Sequence, residues 1–292
     1  MDWESELKVL ITEFFKSREI KYTPNTKRFD CLTDFVNLEM KTVKAFPRTV
    51  FKSKKVKSLS LPPEISKALA YIEDKFKKGI DVTFHLSKNV LAPSYNDRLL
   101  NEWRIHHLHL SDKKKAGSKY YERSKHLLFV AFTTTQVLFI DVRDHNEEYL
   151  WAKKELLEII YDNWYDILKP HKENDIKLSE NYSDADIFNL RKNGYMIGMT
   201  EIRGETFWNP GIGMASDGTS ILVNKKADAI HRYLHYVSEE IKNSPTEVMQ
   251  TISEGVGYAV EELCFSLRML DRYPYFGFFE NNTQVFYNVI ES

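Results

Sequence analysis

Between Trp3 and Phe15, Leu7, Leu10, Ile11, Phe14 and Phe15 recur at helical spacing, so an amphipathic helix opens the chain. Residues 16–57 are basic and irregular, with Phe35-Val36-Asn37-Leu38 as one stretch able to run as a strand. Pro62-Pro63-Glu64 then starts a helix, because proline is tolerated in a first turn and glutamate suits the positive end of the helix dipole. That helix, 64–78, turns Ile65, Leu69, Ile72 and Phe76 inward and stops at Gly79, which takes the left-handed conformation without strain. A strand over 80–86 and a short helix over 94–102 follow.

The pattern changes in the middle of the chain. Residues 127–132 and 137–142 are almost wholly apolar, as interior strands covered on both faces are, and Thr133-Thr134-Thr135-Gln136 is short enough to turn a hairpin between them. Residues 103–110 alternate less cleanly. Arg104 and His106 share a face with Leu108 and Leu110, while His107 and His109 share the other with Trp103 and Ile105. Ionisable groups on both faces require a solvent-filled cleft on at least one side, since burying several imidazoles without partners is unfavourable. A helix over 147–168 packs Leu150, Leu157, Ile160 and Trp164 onto the sheet.

After Pro170 the composition turns polar over 172–184, which marks a domain boundary. Beyond it come strands at 195–201 and 206–210, a hairpin turn at Asp217-Gly218 with 220–224 as its return strand, and helices over 227–242 and 246–270. The second helix is weakened at Gly255 and Gly257, and a final hairpin, 275–279 with 284–290, turns at Asn281-Asn282. The expected fold is α+β, a central mainly antiparallel sheet flanked by helices with a second C-terminal α+β domain. Its segments are 1–62 (helix and basic irregular stretch), 63–170 (the central domain) and 171–292.

Composition narrows the class. A chain of 292 residues, 42% hydrophobic and 28% charged, suits two modest domains and excludes wholesale disorder. With a net charge of −1 there is no global field for nucleic acid. A polyanion must then meet a local patch, and Lys113-Lys114-Lys115 with Lys119, Arg123 and Lys125 forms one. Cys31 and Cys264 lack any zinc-site spacing and read as buried thiols of a reducing compartment. The acidic N-terminus carries no secretion signal, and no window approaches the roughly 18 apolar residues of a membrane span, so a cytoplasmic location without membrane contact is expected.

The chemical signal is the placing of His106, His107, His109 and His145 where strands begin and end. Imidazole titrates near neutrality and serves as acid or base, and guanidinium pairs bidentately with phosphate oxygens. Other patterns are thinner. Gly211-Ile212-Gly213 lacks the third glycine and following helix of a dinucleotide loop, and reads as a turn. Arg104 and His109 have the spacing of HEPN ribonucleases, which need it on a helix. His85-Leu86-Ser87 and His109-Leu110-Ser111 repeat the His-x-Ser of two-histidine phosphoesterases without a second related half. Asp34 with Glu39-Met40-Lys41 resembles the metal-holding set of PD-(D/E)xK nucleases, which use Mg²⁺.

Over 94–164 the order of short helix, Trp103-Arg104, basic loop with Arg123, Leu127-Leu128-Phe129-Val130 and Phe139-Ile140-Asp141-Val142-Arg143-Asp144-His145 resembles the core of RelE/HigB-type RNA interferases. The resemblance implies RNA cleavage without metal or cofactor. Arg104 and Arg123 would clamp phosphate, Lys113, Lys114 and Arg143 would complete the substrate-binding set, and His106, His107, His109 or His145 would be acid and base. Trp103, Tyr120 and Tyr121 are near enough in sequence to stack on bases. The expected function is a metal-independent endoribonuclease, toxin-like or a phage-defence effector, with RNA as partner. Two alternatives stand beside it. One is a non-catalytic interaction protein, binding a partner or itself through the aromatic C-terminal domain (Tyr273, Tyr275, Phe276, Phe278, Phe279, Phe286, Tyr287). The other is a Mg²⁺-dependent nuclease on Asp34, Glu39 and Lys41.

Overall fold

Helix α1 (Trp3–Ser17) forms where the apolar stripe requires it, burying Trp3, Leu7, Ile11 and Phe15. The Asp2 carboxylate accepts the Ser5 N–H at 3.2 Å, satisfying one donor that a helix start leaves open. The computed structural model describes residues 2–24, 30–216 and 218–288. Helix α2 (Asp30–Lys41) occupies part of the stretch expected to be irregular. Leu32, Phe35, Val36 and Leu38 are all buried, and the spacing of Leu32 from Phe35 and Val36 makes the period helical, so 35–38 is not a strand.

Two compact units result: Met1–Val36 with Val223–Ser292, and Asn37–Leu222. The second is built on a four-stranded sheet. Strand β1 (Thr49–Lys52) is followed by helices α3 (Lys54–Ser58) and α4 (Pro63–Lys78). Gly79 ends α4 at φ 69°, as expected. The strand expected over 80–86 is instead a one-turn 3-10 helix, Thr83–His85, started by the Asp81 carboxylate, which accepts the Thr83 N–H at 2.7 Å. Helix α5 (Arg98–Trp103) leads into β2 (His106–His109), then come β3 (His126–Phe132) and β4 (Gln136–Asp144). The sheet order is β1-β4-β3-β2, with β1 parallel to β4 and the other pairs antiparallel.

Both faces of this sheet are covered, which is why β3 and β4 are apolar almost throughout. Ile72, Phe76 and Leu69 of α4 bury against Leu108, Leu128, Val130 and Phe139 on one face. On the other, Ile105, Leu127, Phe129 and Leu138 meet Leu156, Leu157 and Ile160 of helix α6 (Glu155–Leu168), which starts later than expected because the chain first makes a 3-10 turn at Leu150–Ala152. Strand β5 (Lys172–Glu173), helix α7 (Asp184–Lys192), β6 (Met199–Ile202) and β7 (Glu205–Trp208) follow, with the strands in the order β5-β7-β6. Ile187, Ile202 and Phe207 bury in the same core as α6. The polar stretch 172–184 is therefore a surface connection inside one unit, and the chain divides elsewhere than at 62 and 170.

Helix α8 (Ile221–Asn243) begins where a return strand was expected, because Val223, Ala227, Ile230, Leu234 and Val237 continue one buried stripe. Asp217 of the expected turn lies outside the described residues, as do positions 289 and 290 of the last hairpin. Helix α9 (Pro245–Val256) stops at Gly257, φ 79°, rather than running to 270. Strands β8 (Phe265–Met269), β9 (Phe276–Glu280) and β10 (Val285–Tyr287) then form an antiparallel sheet in the order β10-β9-β8. Glu6 of α1 accepts the Leu267 N–H at 2.7 Å, which occupies the open edge of β8. Tyr275, Phe276, Phe278, Phe279 and Tyr287 are buried here, while Tyr273 and Phe286 are exposed. Cys264 is exposed and Cys31 half-buried, contrary to the expectation that both lie inside. Among the described residues no helix is long and apolar enough to cross a membrane.

Candidate histidine cleft

Asp97 sets the geometry of the cleft from both ends of its carboxylate. Its Oδ1 accepts the Leu100 N–H at 3.1 Å and caps α5, and its Oδ2 stands 3.6 Å from His107 Nδ1. Seven residues on, Arg104 takes the left-handed conformation (φ 59°), ends the helix and turns the chain into β2. In the ladder His107 lies opposite Phe129 and His109 opposite Leu127, so both imidazoles share the face covered by α6. Beyond the end of β4, His145 donates its N–H to the Lys125 carbonyl at 2.6 Å, which brings its ring to 6.2 Å from that of His109 with the planes 16° apart. The three histidines line one cleft of about 600 Å³.

Trp151, on the 3-10 turn before α6, forms a wall, with its ring 4.7 Å from His107 and 5.9 Å from His145. Arg191 of α7 fixes that wall by donating to the Trp151 carbonyl. Its Nε and Nη2 also donate to Glu102 Oε2 at 3.0 and 2.6 Å, and its guanidinium lies 4.4 Å from the Trp103 ring. Glu102 is fully buried, and burial raises its carboxyl pKa while Arg191 opposes the rise. Arg191 is thus a structural cation whose charge is answered. Arg98, Arg123 and Lys192, exposed at the rim, make the cleft basic.

Burial pushes the His109 pKa down to about 4, helped by the like charges of His107, Arg123 and His145. Burial also lowers that of His107, with Asp97 pulling the other way. Both rings are therefore neutral at pH 7, each with one nitrogen able to accept a proton or hydrogen bond. Nδ1 of each, and Oδ1 of Asn96 on the same cleft, have no hydrogen-bond partner among the described residues. Buried polar atoms are usually satisfied, so three unsatisfied ones around one cavity point to a ligand with polar atoms of its own.

The other expected site residues are not brought here. His106 faces the opposite side of the sheet, where its ring meets Phe132 at 5.2 Å and burial takes its pKa down to about 3. Arg104 is the helix-ending residue, and its guanidinium does not line the cleft. Lys113 and Lys114 are exposed on the loop away from the cleft, with Lys114 bridging to Tyr121. Arg143 shares the His109 face but is held by three carboxylates, Asp141 (2.8 Å), Glu147 (2.7 Å) and Glu155. Burial works upward on Glu155, yet its bonds to Arg143 and Lys55 take its pKa down to about 2.

The alternative motifs resolve into structure. Asp34, Glu39 and Lys41 lie on helix α2, not on adjacent strands. The Lys41 ammonium donates to the Ala92 and Tyr95 carbonyls at 2.7 Å each, and Glu39 pairs with Lys44 at 3.2 Å. His85 is buried beneath Tyr121 instead of facing His109 across the cleft, although Ser87 does line it. Arg104 and His109 do not share a helix. Gly211 allows its turn to close on α5, since a Cβ there would sit 2.1 Å from the Asn101 carbonyl oxygen. Among the described residues no group of three or more His, Cys, Asp or Glu side chains is placed to hold a metal ion.

Sequence reasoning missed Asp97, Asn96 and Trp151. Asp97 had a signal, because an aspartate just before Leu99-Leu100 reads as a helix cap. Trp151 and Arg191 had none, for only the packing of α6 and α7 brings them to β2. Fold and site define an α+β protein with a basic, histidine-floored cleft at the edge strand of its central sheet. No family model, curated protein or solved structure matches the chain.

Proposed function

We propose that the cleft binds single-stranded RNA and cleaves it by imidazole acid–base catalysis. The observation that carries this reading is the pairing of His109 and His145, 6.2 Å apart and nearly parallel, in one basic cleft with Arg123. That spacing lets two imidazoles serve two oxygens of one phosphoryl group. His109, neutral because its pKa lies about 4, takes the proton of the ribose 2′-hydroxyl. The 2′-oxygen attacks phosphorus and the bond from phosphorus to the 5′-oxygen breaks. His145, at the exposed mouth, gives its proton to that leaving oxygen, and Arg123 holds the non-bridging oxygens. The products are a 2′,3′-cyclic phosphate and a 5′-hydroxyl.

A base of pKa about 4 is weak by itself. Burial is the larger cause of that depression, and a phosphate anion beside Arg123 offsets the smaller, like-charge part of it, so substrate strengthens the base it needs. Trp151 offers an aromatic surface at the same wall. The resemblance to RelE/HigB-type RNA interferases rests on the order α5, β2, basic loop, β3 and β4 with His145 after it, and a toxin-like or defence role is part of this proposal. The aromatic C-terminal segment favours a binding surface less, because five of its seven aromatics are core.

The test is incubation of the purified protein with end-labelled single-stranded RNA and DNA, in EDTA or Mg²⁺. RNA cut in EDTA to cyclic-phosphate ends, with DNA intact and His109→Ala and His145→Ala silent, is expected. Cleavage that requires Mg²⁺, or that survives both substitutions, would sink the proposal.

A further inference from the structure

The loop between β2 and β3 delivers Arg123 to the cleft, and two aromatic side chains anchor it, Tyr120 edge-on to Phe84 at 5.4 Å and, nearer to Arg123, Tyr121. Residues 113–122 pair mainly with one another, Lys115 N–H donating to the Tyr120 carbonyl at 3.0 Å and Glu122 N–H to that of Lys113 at 2.8 Å. Tyr121 lies opposite Lys114 in this pairing and sends its side chain into the protein. Its ring lies flat on His85, centroids 3.6 Å apart, and its N–H donates to the Phe84 carbonyl at 3.2 Å. Its hydroxyl is 2.9 Å from that of Tyr71 and accepts from the Lys75 ammonium at 3.2 Å.

This cluster has no catalytic surface, since none of Tyr71, Lys75, His85 and Tyr121 lines the cleft. Nor do its own side chains include a carboxylate to balance Lys75, which is buried and stands 3.3 Å from His85 Nε2. What distinguishes it is where its other end goes. His85 Nδ1 is 3.3 Å from the His109 backbone carbonyl on β2. One imidazole thus touches both the strand that bears His109 and the tyrosine two residues before Arg123.

We propose that His85 and Tyr121 are positioning residues of the cleft, a stacked pair that sets Arg123 at a fixed distance from His109. The inference rests on the phosphodiester reading only in requiring that Arg123 and His109 act on one phosphate group. Loss of the stack frees the loop and takes the guanidinium out of register. Arg123 then contributes nothing whether or not it is present.

That equivalence is measurable with inorganic pyrophosphate, titrated by calorimetry into the parent, Arg123→Ala, Tyr121→Ala and the double variant. Arg123→Ala should weaken binding about tenfold or more, as losing a charge-assisted contact does. Tyr121→Ala should weaken it to the same extent, and the double variant should lose nothing further. Tyr121→Phe, which keeps the stacked ring, should stay within about threefold of the parent. A merely structural Tyr121 would leave pyrophosphate affinity unchanged, or give the double variant the product of both single losses. Either result overturns the proposal, as does a parent that does not bind pyrophosphate. Should Tyr121→Ala fail to fold, Tyr121→Leu takes its place in the cycle. A parent that binds pyrophosphate and shows this coupling yet cuts no RNA overturns the nuclease reading alone.

Discussion

His106 and His107 are neighbours on one strand, with similar exposure, and they meet opposite fates. His106 faces Phe132 on the side of the sheet that α4 covers, where burial, with the like charges of Arg104 and Arg48, takes its pKa down to about 3. His107 faces a cleft, with Asp97 at 3.6 Å and Trp151 beside it, and its next neighbour on that face is His109. Arg123 and Arg143 repeat the contrast. Arg143 is buried among three carboxylates, and Arg123 stands exposed at the cleft. Residue type therefore says little about which cations and imidazoles are available for chemistry. The face of the strand and the count of partners decide it.

The largest effect that would break this contrast is on the cleft side. His109→Ala or His145→Ala should lower RNA cleavage by about 10²–10⁴-fold with little change in melting temperature, as loss of a general acid or base does. A similar loss from His106→Ala, in protein of unchanged stability, would erase the distinction between the faces.

Arg143→Met comes next, and its effect should fall on stability. Removing the cation leaves Lys55 alone to answer Asp141 and Glu155, and Lys153 to answer Glu147, at a cost of about 1–3 kcal/mol, most of it at the buried Asp141. Chemical denaturation would show it, while cleavage per folded molecule should not change. Arg123→Ala should do the reverse, raising KM roughly 10–100-fold and leaving the denaturation midpoint where it was.

The smallest effect sharpens the core side. The folded pKa of His106 lies below the ordinary value near 6.5, so the unfolded chain binds the extra proton. Stability from this residue is present at neutral pH and is lost as pH falls through about 6.5 towards 3. By pH 5 the loss amounts to about 2 kcal/mol. His106→Leu should retain cleavage and flatten the acid limb of a melting-temperature profile between pH 7 and 4. An unchanged limb would mean that His106 is not buried neutral.

Much of the scaffold was legible because its signals are local. The stripe of α1, the proline start and glycine stop of α4, and the β3–β4 hairpin are each written in a dozen residues or fewer. The failures have two causes: in α2 and at the start of α8 the helical stripe extends past the residues first read, and the strand β8 depends on pairing with β9 and on Glu6 of the distant α1. Leu32 had to be added to Phe35 and Val36 before the helical period emerged. For the site, alternation along 103–110 required a cleft and placed His107 and His109 together, and His145 joined them. Alternation could not say which face would be dry, because that depends on α4 covering one side and on Trp151 and Arg191 leaving the other open. It also could not reveal that Lys113 and Lys114 diverge from Arg123, which the anchoring of Tyr121 decides.

The most direct test follows the nine histidine imidazoles by NMR as pH is varied, with and without inorganic phosphate. On this account His106 stays neutral down to about pH 3 and ignores phosphate, while His109 titrates near 4 and moves upward when phosphate binds beside Arg123. A His109 that phosphate leaves unmoved, or a His106 that responds as His109 does, would contradict it.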